Sequence, residues 1–317
     1  MKPPPMIADV EEACGRIAPH VHRTPILRSR SLDRQTGAEL LFKCENFQKT
    51  GSFKARGATN AVLALPSGVR AVATHSSGNH AAALAHAAAL RGLAAHVVMP
   101  ETAAAAKRAA AEAYGATIVS CAPTLAAREE AAGRIVAETG ATLVPPFDDP
   151  AVVAGQGTAA VELIADAPGP LDLLLVPVGG GGLLAGTLIA TAAHAPRAAV
   201  IGVEPETADD AARGFRTRML QPQVLPVTTI ADGVTTAMSP MTFEIMCWLA
   251  RDIVTVSEAA IVAATRTIWE RLKIVVEPSC ALPLAAILER KVDVAGRRVG
   301  IILTGGNVDL DRLPWNS

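Results

Sequence analysis

The chain has 317 residues, of which half are hydrophobic and 19% are charged. Such a chain can form one large or two modest domains with a sizeable core, and its composition excludes a disordered protein. The formal net charge is only -1, and no long run of like charge indicates a nucleic-acid groove or a basic membrane-binding patch. We therefore expect small molecules, or further copies of the chain, as partners.

The cysteines and the N-terminus indicate the compartment in which the protein acts. The first 16 residues, MKPPPMIADVEEACGR, lack the apolar core of a signal peptide, and alanine-rich runs such as residues 81–90 are too short to span a bilayer. The five cysteines form no CxxC pair and no cluster with histidines, which is typical of reduced thiols. We expect a cytoplasmic protein in which the thiols are buried apolar groups: Cys14, Cys44, Cys121, Cys247 and Cys280.

Short apolar runs alternate with helical stretches along the chain. This alternation predicts an α/β protein whose parallel sheets are flanked by helices. In chain order, the expected helices cover residues 80–91, 102–113 and 124–138. The expected strands cover residues 69–74, 95–99, 117–120, 142–144, 172–178, 199–203 and 298–304.

Two clusters of turn-forming residues predict the domain organisation. PPFDDP covers residues 145–150, and LPSG begins at Leu65. If the chain crosses between domains at both places, the middle segment is inserted in a larger domain. We therefore expect a large domain built from residues 1–65 and 149–317, and a small domain built from residues 66–148.

The first segment that suggests chemistry is Ser52-Phe53-Lys54. A lysine forms a Schiff base only when its amine can lose a proton, which requires burial or a nearby cation such as Arg56. The same tripeptide also suits a surface lysine at the start of a helix. The tripeptide alone therefore leaves a catalytic and a structural interpretation open.

Two later segments connect a strand to a helix through small residues. Residues 76–80 are Ser-Ser-Gly-Asn-His, and residues 179–182 are four consecutive glycines. Backbone N–H groups can approach an anion closely at such turns, where the dipole of the helix also favours negative charge. Each ordered glycine costs roughly 0.5–1 kcal/mol relative to alanine, so four in a row favour a phosphate-binding loop. A serine-capped turn is the alternative for residues 76–80.

A fourth segment, Thr304-Gly305-Gly306-Asn307, comes directly after the last apolar run. A hydroxyl at the carboxyl end of a strand faces the crevice in which open α/β sheets bind ligands, although a simple turn is the alternative. No GxGxxG motif and no Walker lysine accompany the glycines. Their absence argues against nicotinamide-dependent oxidoreductases and nucleoside triphosphate enzymes.

Taken together, these segments resemble the fold-type II pyridoxal-phosphate family, and within it the threonine/serine dehydratase and serine racemase branch. The resemblance extends from about residue 20 to residue 310. It implies a tryptophan synthase beta-like fold in which the large domain binds the cofactor and the small domain lies on the substrate side. The similar blocks are FKCENFQKTGSFKARGATNAV, THSSGNH, VPVGGGGLLAG, VEPETADD, TIADGV, EPS and LTGGNVDL.

The resemblance implies a role for each segment. Lys54 would carry pyridoxal 5'-phosphate, with Phe53 beside it. Asn79 would form a hydrogen bond with the hydroxyl of the pyridine ring, and Thr304 would meet the ring nitrogen. The phosphate would bind to Gly179, Gly180, Gly181 and Gly182. The substrate carboxylate would bind to Ser76, Ser77, Gly78, Asn79 and His80.

The position implied for Thr304 has a chemical consequence. A hydroxyl is a poor counter-ion, so the ring nitrogen would stay mostly unprotonated and the ring would be a weaker electron sink than one paired with an aspartate. A weaker sink favours prompt loss of a β-hydroxyl over reactions that need a long-lived carbanion. We therefore expect β-elimination of L-threonine or L-serine to a 2-oxo acid and ammonia.

Ser77 leaves two further reactions open. Serine racemases resemble this chain in having a serine at the position, whereas many threonine dehydratases have alanine. Ser77 would then be the second acid/base that reprotonates the substrate, or it would only bind the carboxylate. Hydroxyaspartate dehydratases also resemble the SSGNH form. The alternatives to a threonine or serine dehydratase are therefore a serine racemase and a 3-hydroxyaspartate dehydratase.

Arg128 bears on the same choice of substrate. Its segment, CAPTLAARE, resembles one in the racemases in which an arginine lies near the substrate. A guanidinium would suit a second carboxylate, as in 3-hydroxyaspartate. The alternative is an arginine on the solvated face of a helix.

The resemblance also implies a divalent cation and a dimer. Glu204, the carbonyl of Ala208 and Asp210 match a cation site of the racemase branch, and such oxygen ligands suit Mg²⁺, Ca²⁺ or Mn²⁺. A solvated acidic turn is the alternative. Glu277 would lie near the cofactor as a supporting carboxylate. Relatives in the branch suggest a homodimer.

Overall fold

The computed structural model describes residues 3–76, 78–103, 105–311, 313 and 315. No helix in that part of the chain combines the length and the apolar character that crossing a membrane requires. Its strands are β1 (Ile26–Leu27), β2 (Glu39–Cys44), β3 (Ala71–His75), β4 (Ala94–Pro100), β5 (Ala116–Cys121), β6 (Thr142–Leu143), β7 (Leu173–Pro177), β8 (Ala199–Pro205), β9 (Asp252–Val256) and β10 (Arg298–Leu303).

Helices follow most of the strands, as the alternating pattern predicts. They are α1 (Ile7–Ile17), α2 (Arg30–Thr36), α3 (Lys54–Leu63), α4 (Asn79–Leu90), α5 (Ala105–Ala113), α6 (Leu125–Thr139), α7 (Pro150–Asp166), α8 (Gly182–His194), α9 (Asp210–Thr217), α10 (Pro240–Leu249), α11 (Glu258–Leu272) and α12 (Leu282–Leu288). Four short 3-10 helices cover Glu45–Phe47, Lys49–Gly51, Asp232–Val234 and Pro278–Ala281 in the described part of the chain.

The larger sheet has six strands in the order β1-β2-β10-β7-β8-β9. Its pairings are parallel except for β1, which runs antiparallel to β2. Consecutive residues of a strand face opposite sides of a sheet, so both faces need an apolar cover. In β7, Leu173 and Leu175 pack on the side of α11 and α12, whereas Leu174 and Val176 pack on the side of α7 and α8. This covering of both faces explains the unbroken apolar run LLLVP.

The smaller sheet has four parallel strands in the order β5-β4-β3-β6. On one face α4 packs with its buried alanines against Val72 and Val97, and on the other face α6 packs with Ala131 and Ile135. The predicted α/β class with parallel sheets flanked by helices is therefore confirmed. The division into residues 1–65 with 149–317, and 66–148, stays a prediction.

Some elements differ from the sequence-based expectation. The helix expected over residues 102–113 begins at Ala105, because Ala103 donates its N–H to the Pro100 carbonyl in a turn. Strands β1, β2 and β9 were not expected at all. β2 pairs with β10 along its whole length, so tertiary pairing decides its conformation.

Helix α7 brings two functional segments together through close packing on glycines. A Cβ on Gly186 of α8 would lie 2.5 Å from the N atom of Gly157, and a Cβ on Gly155 would lie 2.7 Å from the Arg56 carbonyl oxygen. Only glycine allows helices to approach so closely at these points. As a result α3, which begins at Lys54, and α8, which begins at Gly182, both lie directly against α7.

A buried ion-pair cluster, consisting of Arg56, Glu45, Glu162 and Lys43, holds this arrangement together. The Nε and Nη2 atoms of Arg56 donate to the two Glu45 oxygens at 2.7 and 2.8 Å. Its Nη1 and Nη2 donate to the two Glu162 oxygens at 2.8 Å each. Lys43 adds a 2.6 Å bond to Glu162. Two cations thus balance two anions, and bidentate geometry offsets the cost of removing them from water.

We predict that Arg56→Met destabilises the protein by about 3–5 kcal/mol, because it leaves Glu45 and part of Glu162 without a cation in a buried site. The free energy of unfolding is measured by urea titration. The matched control is Arg266→Met on α11, which removes a solvent-exposed pair with Glu270 and should leave the midpoint unchanged. If both variants lost the same free energy of unfolding, burial of the cluster would add nothing to its contribution to stability.

Candidate active site

Lys54 begins α3, and its side chain reaches the segment that follows β6 of the smaller sheet. The space that surrounds its Nζ is called the cleft. Its Nζ donates to the carbonyl of Pro146 at 2.8 Å and lies 5.0 Å from the centre of the Phe53 ring. Burial lowers the pKa of Lys54 to about 8, against the opposing effect of the Glu277 carboxylate. A substantial share of this amine can therefore be neutral near physiological pH, which a Schiff-base lysine requires.

The four glycines connect β7 to α8. The carbonyl of Gly180 accepts a 2.9 Å hydrogen bond from the buried Thr242 hydroxyl, and Gly181 has a φ of +82°. A Cβ on Gly180 would lie 2.3 Å from the ring of Phe147. Gly180 therefore fits closely under the Phe147 ring, and Gly181 has a backbone conformation that favours glycine. The unpaired N–H groups of the first turn of α8 make the loop suitable for an anion.

Asn79 lies at the start of α4, and both the nitrogen and the oxygen of its side-chain amide form hydrogen bonds. Its Nδ2 donates to the Glu277 oxygens at 2.9 and 3.1 Å, and its Oδ1 accepts from Asn307 Nδ2 at 2.9 Å. Burial, followed by the nearby Asp232 carboxylate, raises the pKa of Glu277 to about 7. The two N–H groups of the amide both face the Glu277 carboxylate, so a ligand oxygen beside Asn79 would take one of them in place of a Glu277 oxygen.

Thr304 lies at the carboxyl end of β10 and is almost completely buried. Its carbonyl accepts a 2.9 Å hydrogen bond from the N–H of Phe53, so the backbone next to Lys54 is tied to the end of β10. The carbonyl of Gly305 accepts a 3.0 Å bond from the N–H of Glu277. These contacts bring Lys54, Asn79 and Thr304 close together, and the roles expected for them stay predictions.

The predicted substrate loop follows β3. Ser76 Oγ accepts a 3.3 Å hydrogen bond from the N–H of Gly78, and Ser77 lies outside the described residues. His80 is buried, and its Nε2 is 3.0 Å from the Val144 carbonyl. Burial, together with the charge of Lys54, lowers the pKa of His80 to about 3. The side chain of His80 is therefore neutral, and a carboxylate held there would rely on backbone N–H groups.

Arg128 lies in the first turns of α6, at the edge of the small sheet where β3 ends. Its Nε donates to the Thr124 carbonyl at 3.4 Å, and it forms no ion pair with any carboxylate of the described residues. Burial lowers the pKa of His75, and the positive charge of Arg128 lowers it further. Arg128 thus places a positive charge near the loop that begins at Ser76, and the Glu129 carboxylate opposes its effect on His75 only in part.

Glu204 and Asp210 lie apart from this cleft, at the end of β8 and the start of α9. The two Glu204 oxygens accept hydrogen bonds from the N–H groups of Ala211 and Ala212 at 3.2 and 2.8 Å. Burial raises the pKa of Glu204, and the Asp210 charge adds to this; burial also raises the pKa of Asp210 to about 6. The described residues contain no group of three or more histidine, cysteine or acidic side chains suited to a metal.

Sequence reasoning missed three contributors to the cleft. The Pro146 carbonyl binds the lysine amine, and the Phe147 ring covers the glycine loop. Lys107 of α5 forms an ion pair with Asp232, which joins α5 to the 3-10 helix Asp232–Val234. The PPFDDP segment indicated a chain crossing but carried no signal for a carbonyl that binds an amine.

Comparison with known proteins supports the same chemistry. Residues 17–305 match the family described as pyridoxal-phosphate dependent enzyme. The chain is 48% identical to the beta-hydroxyaspartate dehydratase of Paracoccus denitrificans over 98% of this chain and 99% of that protein. It is 46% identical to the serine racemase of Homo sapiens, over 96% of this chain and 91% of that protein. The solved structure of maize serine racemase has a TM-score of 0.94 at 42% identity, covering 98% of this chain and 96% of that one.

The chain belongs to the family of pyridoxal-phosphate dependent enzymes. Within that family its relatives are dehydratases and racemases. The cleft fits the cofactor in its donor chemistry. It offers an amine that can be neutral, a glycine loop at a helix N-terminus for a phosphate, and an amide N–H for a ring oxygen.

We predict that cofactor-free protein captures pyridoxal phosphate with a pH midpoint near 8. The pKa of Lys54 falls from 10.5 to about 8, so about one amine in ten is neutral at pH 7, and the rate rises with pH until the amine is fully deprotonated. Rapid mixing with cofactor, followed by absorbance, measures the rate, and Lys54→Ala should show no covalent capture. A midpoint near 10 would contradict the effect of burial.

Proposed function

We propose that this enzyme removes water from 3-hydroxyaspartate, with L-serine and L-threonine as poorer substrates. The enamine that leaves the enzyme then takes up one water molecule and gives a 2-oxo acid and ammonia. The observation that carries this choice is Arg128. It is a half-buried guanidinium without a carboxylate partner in the described part of the chain, and it lies beside the loop that begins at Ser76. The relatives named beta-hydroxyaspartate dehydratase and L-threo-3-hydroxyaspartate ammonia-lyase support the same substrate.

Each residue of the cleft would have a separate role in binding the cofactor or moving a proton. Bound pyridoxal phosphate supplies an aldehyde for amines and a conjugated ring that stabilises negative charge at Cα. Lys54 would hold the cofactor and take the Cα proton with its Nζ. Gly179–Gly182 would bind the phosphate, Asn79 would donate to the ring hydroxyl, and Thr304 would donate to the ring nitrogen.

Two positive or N–H-rich regions would bind the two carboxylates of the substrate. The α-carboxylate would lie on the backbone N–H groups of residues 76–80, at the start of α4. The β-carboxylate would lie toward Arg128, which can form a charge-assisted and bidentate pair with it. Serine and threonine have no second carboxylate, so they would leave the guanidinium unpaired and bind less well.

Serine racemisation is the second candidate. The observation that favours it is the SSGNH sequence, in which Ser77 could reprotonate the substrate from the opposite face. Relatives named serine racemase share 41–46% identity with this chain. Racemisation and elimination both begin with loss of the Cα proton to Lys54, so their products must be measured together.

We predict that Arg128→Met lowers kcat/KM for 3-hydroxyaspartate roughly 10- to 100-fold and changes kcat/KM for L-serine by less than about twofold. The reason is that only the first substrate has a carboxylate to pair with the guanidinium. The assay offers 3-hydroxyaspartate, L-serine and L-threonine separately and records both 2-oxo acid and D-amino acid. The matched control is Arg134→Met, an exposed arginine on the same helix.

Two results of this assay would contradict the proposal. If Arg128→Met lowers activity on all three substrates alike, the guanidinium serves the fold or the α-carboxylate. If wild-type enzyme forms D-serine as fast as it forms 2-oxo acid from any substrate, the enzyme is a racemase with elimination as a side reaction.

We also propose that Glu204, the Ala208 carbonyl and Asp210 hold a divalent cation with a structural role. Two buried carboxylates of like charge lie close together, and burial disfavours their charged forms. A hard cation with oxygen ligands would offset both effects. Two carboxylates and one carbonyl leave about three positions for water in an octahedral shell.

We predict that Mg²⁺ or Ca²⁺ raises the melting temperature by several degrees at saturating concentration, since a ligand at about 100 times its Kd stabilises the folded state by about 2.7 kcal/mol. Asp210→Asn should abolish the rise. The matched control, Glu206→Gln, changes an exposed carboxylate of the same segment and should respond as wild type does. A normal rise in Asp210→Asn, measured by calorimetry, would place the cation elsewhere.

A further inference from the structure

Cys280 is a fully buried thiol at the floor of the cleft, in the short 3-10 helix Pro278–Ala281. Its Sγ accepts the N–H of Gly305 at 2.9 Å and lies 2.8 Å from the Gly305 carbonyl oxygen. It also lies 3.2 Å from the hydroxyl oxygen of Thr304. The thiol expected to be an apolar core group thus makes three polar contacts around the residue that would meet the ring nitrogen.

The thiol keeps its proton. Burial, and then the neighbouring Glu277 carboxylate, raises the pKa of Cys280 far above the physiological range. A protonated thiol has one weak S–H donor and a weakly accepting sulfur. The S–H can donate a hydrogen bond to the Gly305 carbonyl or to the Thr304 hydroxyl oxygen, which are the acceptors within reach in the described residues.

The hydroxyl of Thr304 is equally confined. Within the part of the chain that the structure describes, Cys280 Sγ is the one side-chain atom with which it forms a hydrogen bond. The hydroxyl has a single proton, and it can donate that proton either to sulfur or to a ligand in the cleft. An aromatic ring nitrogen is a much better acceptor than a thiol sulfur, so the ligand would receive it.

We infer that Cys280 is a positioning residue that holds the Thr304 hydroxyl as a hydrogen-bond donor to the ring nitrogen of pyridoxal phosphate. This inference rests on the proposed placement of Thr304 at that nitrogen. Sulfur suits the task because it keeps the hydroxyl oxygen in place without competing strongly for its proton. When the S–H points to Thr304, the hydrogen bond from Gly305 N–H to Sγ and the one from Sγ to the Thr304 hydroxyl polarise each other. The hydroxyl then becomes a stronger hydrogen-bond donor to the ring nitrogen.

The test compares wild type with Cys280→Ala, Cys280→Ser, Thr304→Ala and the Cys280→Ala/Thr304→Ala double variant. Each is loaded with pyridoxal phosphate labelled with ¹⁵N at the ring nitrogen. The measurements are the ¹⁵N chemical shift, which responds to hydrogen bonding at that atom, and the Kd for the cofactor. Cys44→Ala is the matched control, because Cys44 is a buried thiol at the end of the neighbouring strand β2.

We expect Cys280→Ala to weaken cofactor binding about fivefold, the usual effect of losing one hydrogen bond, and to move the ¹⁵N shift toward that of Thr304→Ala. Cys280→Ser should move it in the same direction, because a serine oxygen competes better for the Thr304 proton. The double variant should match Thr304→Ala in both measurements, since Cys280 acts only through Thr304. Cys44→Ala should match wild type.

The outcomes separate the inference from the proposed site. If Thr304→Ala changes the ¹⁵N shift and neither Cys280 variant does, Thr304 meets the ring nitrogen and the role of Cys280 is overturned. If the double variant binds cofactor about fivefold more weakly than Thr304→Ala, Cys280 acts on the fold and the inference also fails. If Thr304→Ala leaves the shift unchanged, the placement of Thr304 itself is wrong. If Cys280→Ala does not fold, the ¹⁵N shift of Cys280→Ser is compared with those of wild type and Thr304→Ala instead. A shift that moves toward Thr304→Ala supports the inference, and an unchanged shift overturns it.

Discussion

The buried pairing of Arg56 with Glu45 and Glu162 is the constraint on which the geometry of the cleft depends. Arg56 is two residues from Lys54, so the cluster fixes the start of α3 against α7 and against the 3-10 helix Glu45–Phe47 that follows β2. Glycine contacts then bring α8 against the same helix α7, and the glycine loop takes its place relative to the lysine amine. A weaker, solvent-exposed pair would leave this first turn free to move.

The cleft itself is made where parallel strands end. β7 and β10 of the larger sheet and β3 of the smaller sheet each lead directly into a segment with a chemical role, because ligands bind at the carboxyl ends of parallel strands. Short backbone bonds then join these ends: Phe53 to Thr304, and Glu277 to Gly305. The lysine, the amide and the hydroxyl are therefore placed by strand ends and main-chain contacts, with little dependence on flexible side chains.

Sequence patterns predicted the fold class well and the polar contacts poorly. Apolar runs such as LLLVP, and glycines after a strand, are local signals, so the sheets and the glycine loop were predictable. β2 and β9 were missed because pairing with distant strands decides their conformation. The carbonyl of Pro146 and the sulfur of Cys280 act through spatial contacts across 92 and 24 residues, for which a single sequence carries no pattern. Ser77 was predicted from the motif alone, and its role is a matter for the product assay.

The alanine face of α4 has a consequence for motion. Alanine has no side-chain rotamers, so the alanines of α4 set no rotamer barrier to a small shift against α3. Arg91 ties the far end of α4 to the Val62 carbonyl of α3, so a shift would be greatest at the start of α4. Packed helices commonly move in this way, by small sliding steps. Asn79 stands at the first position of α4, so such a shift would carry its amide toward or away from the opposite wall of the cleft.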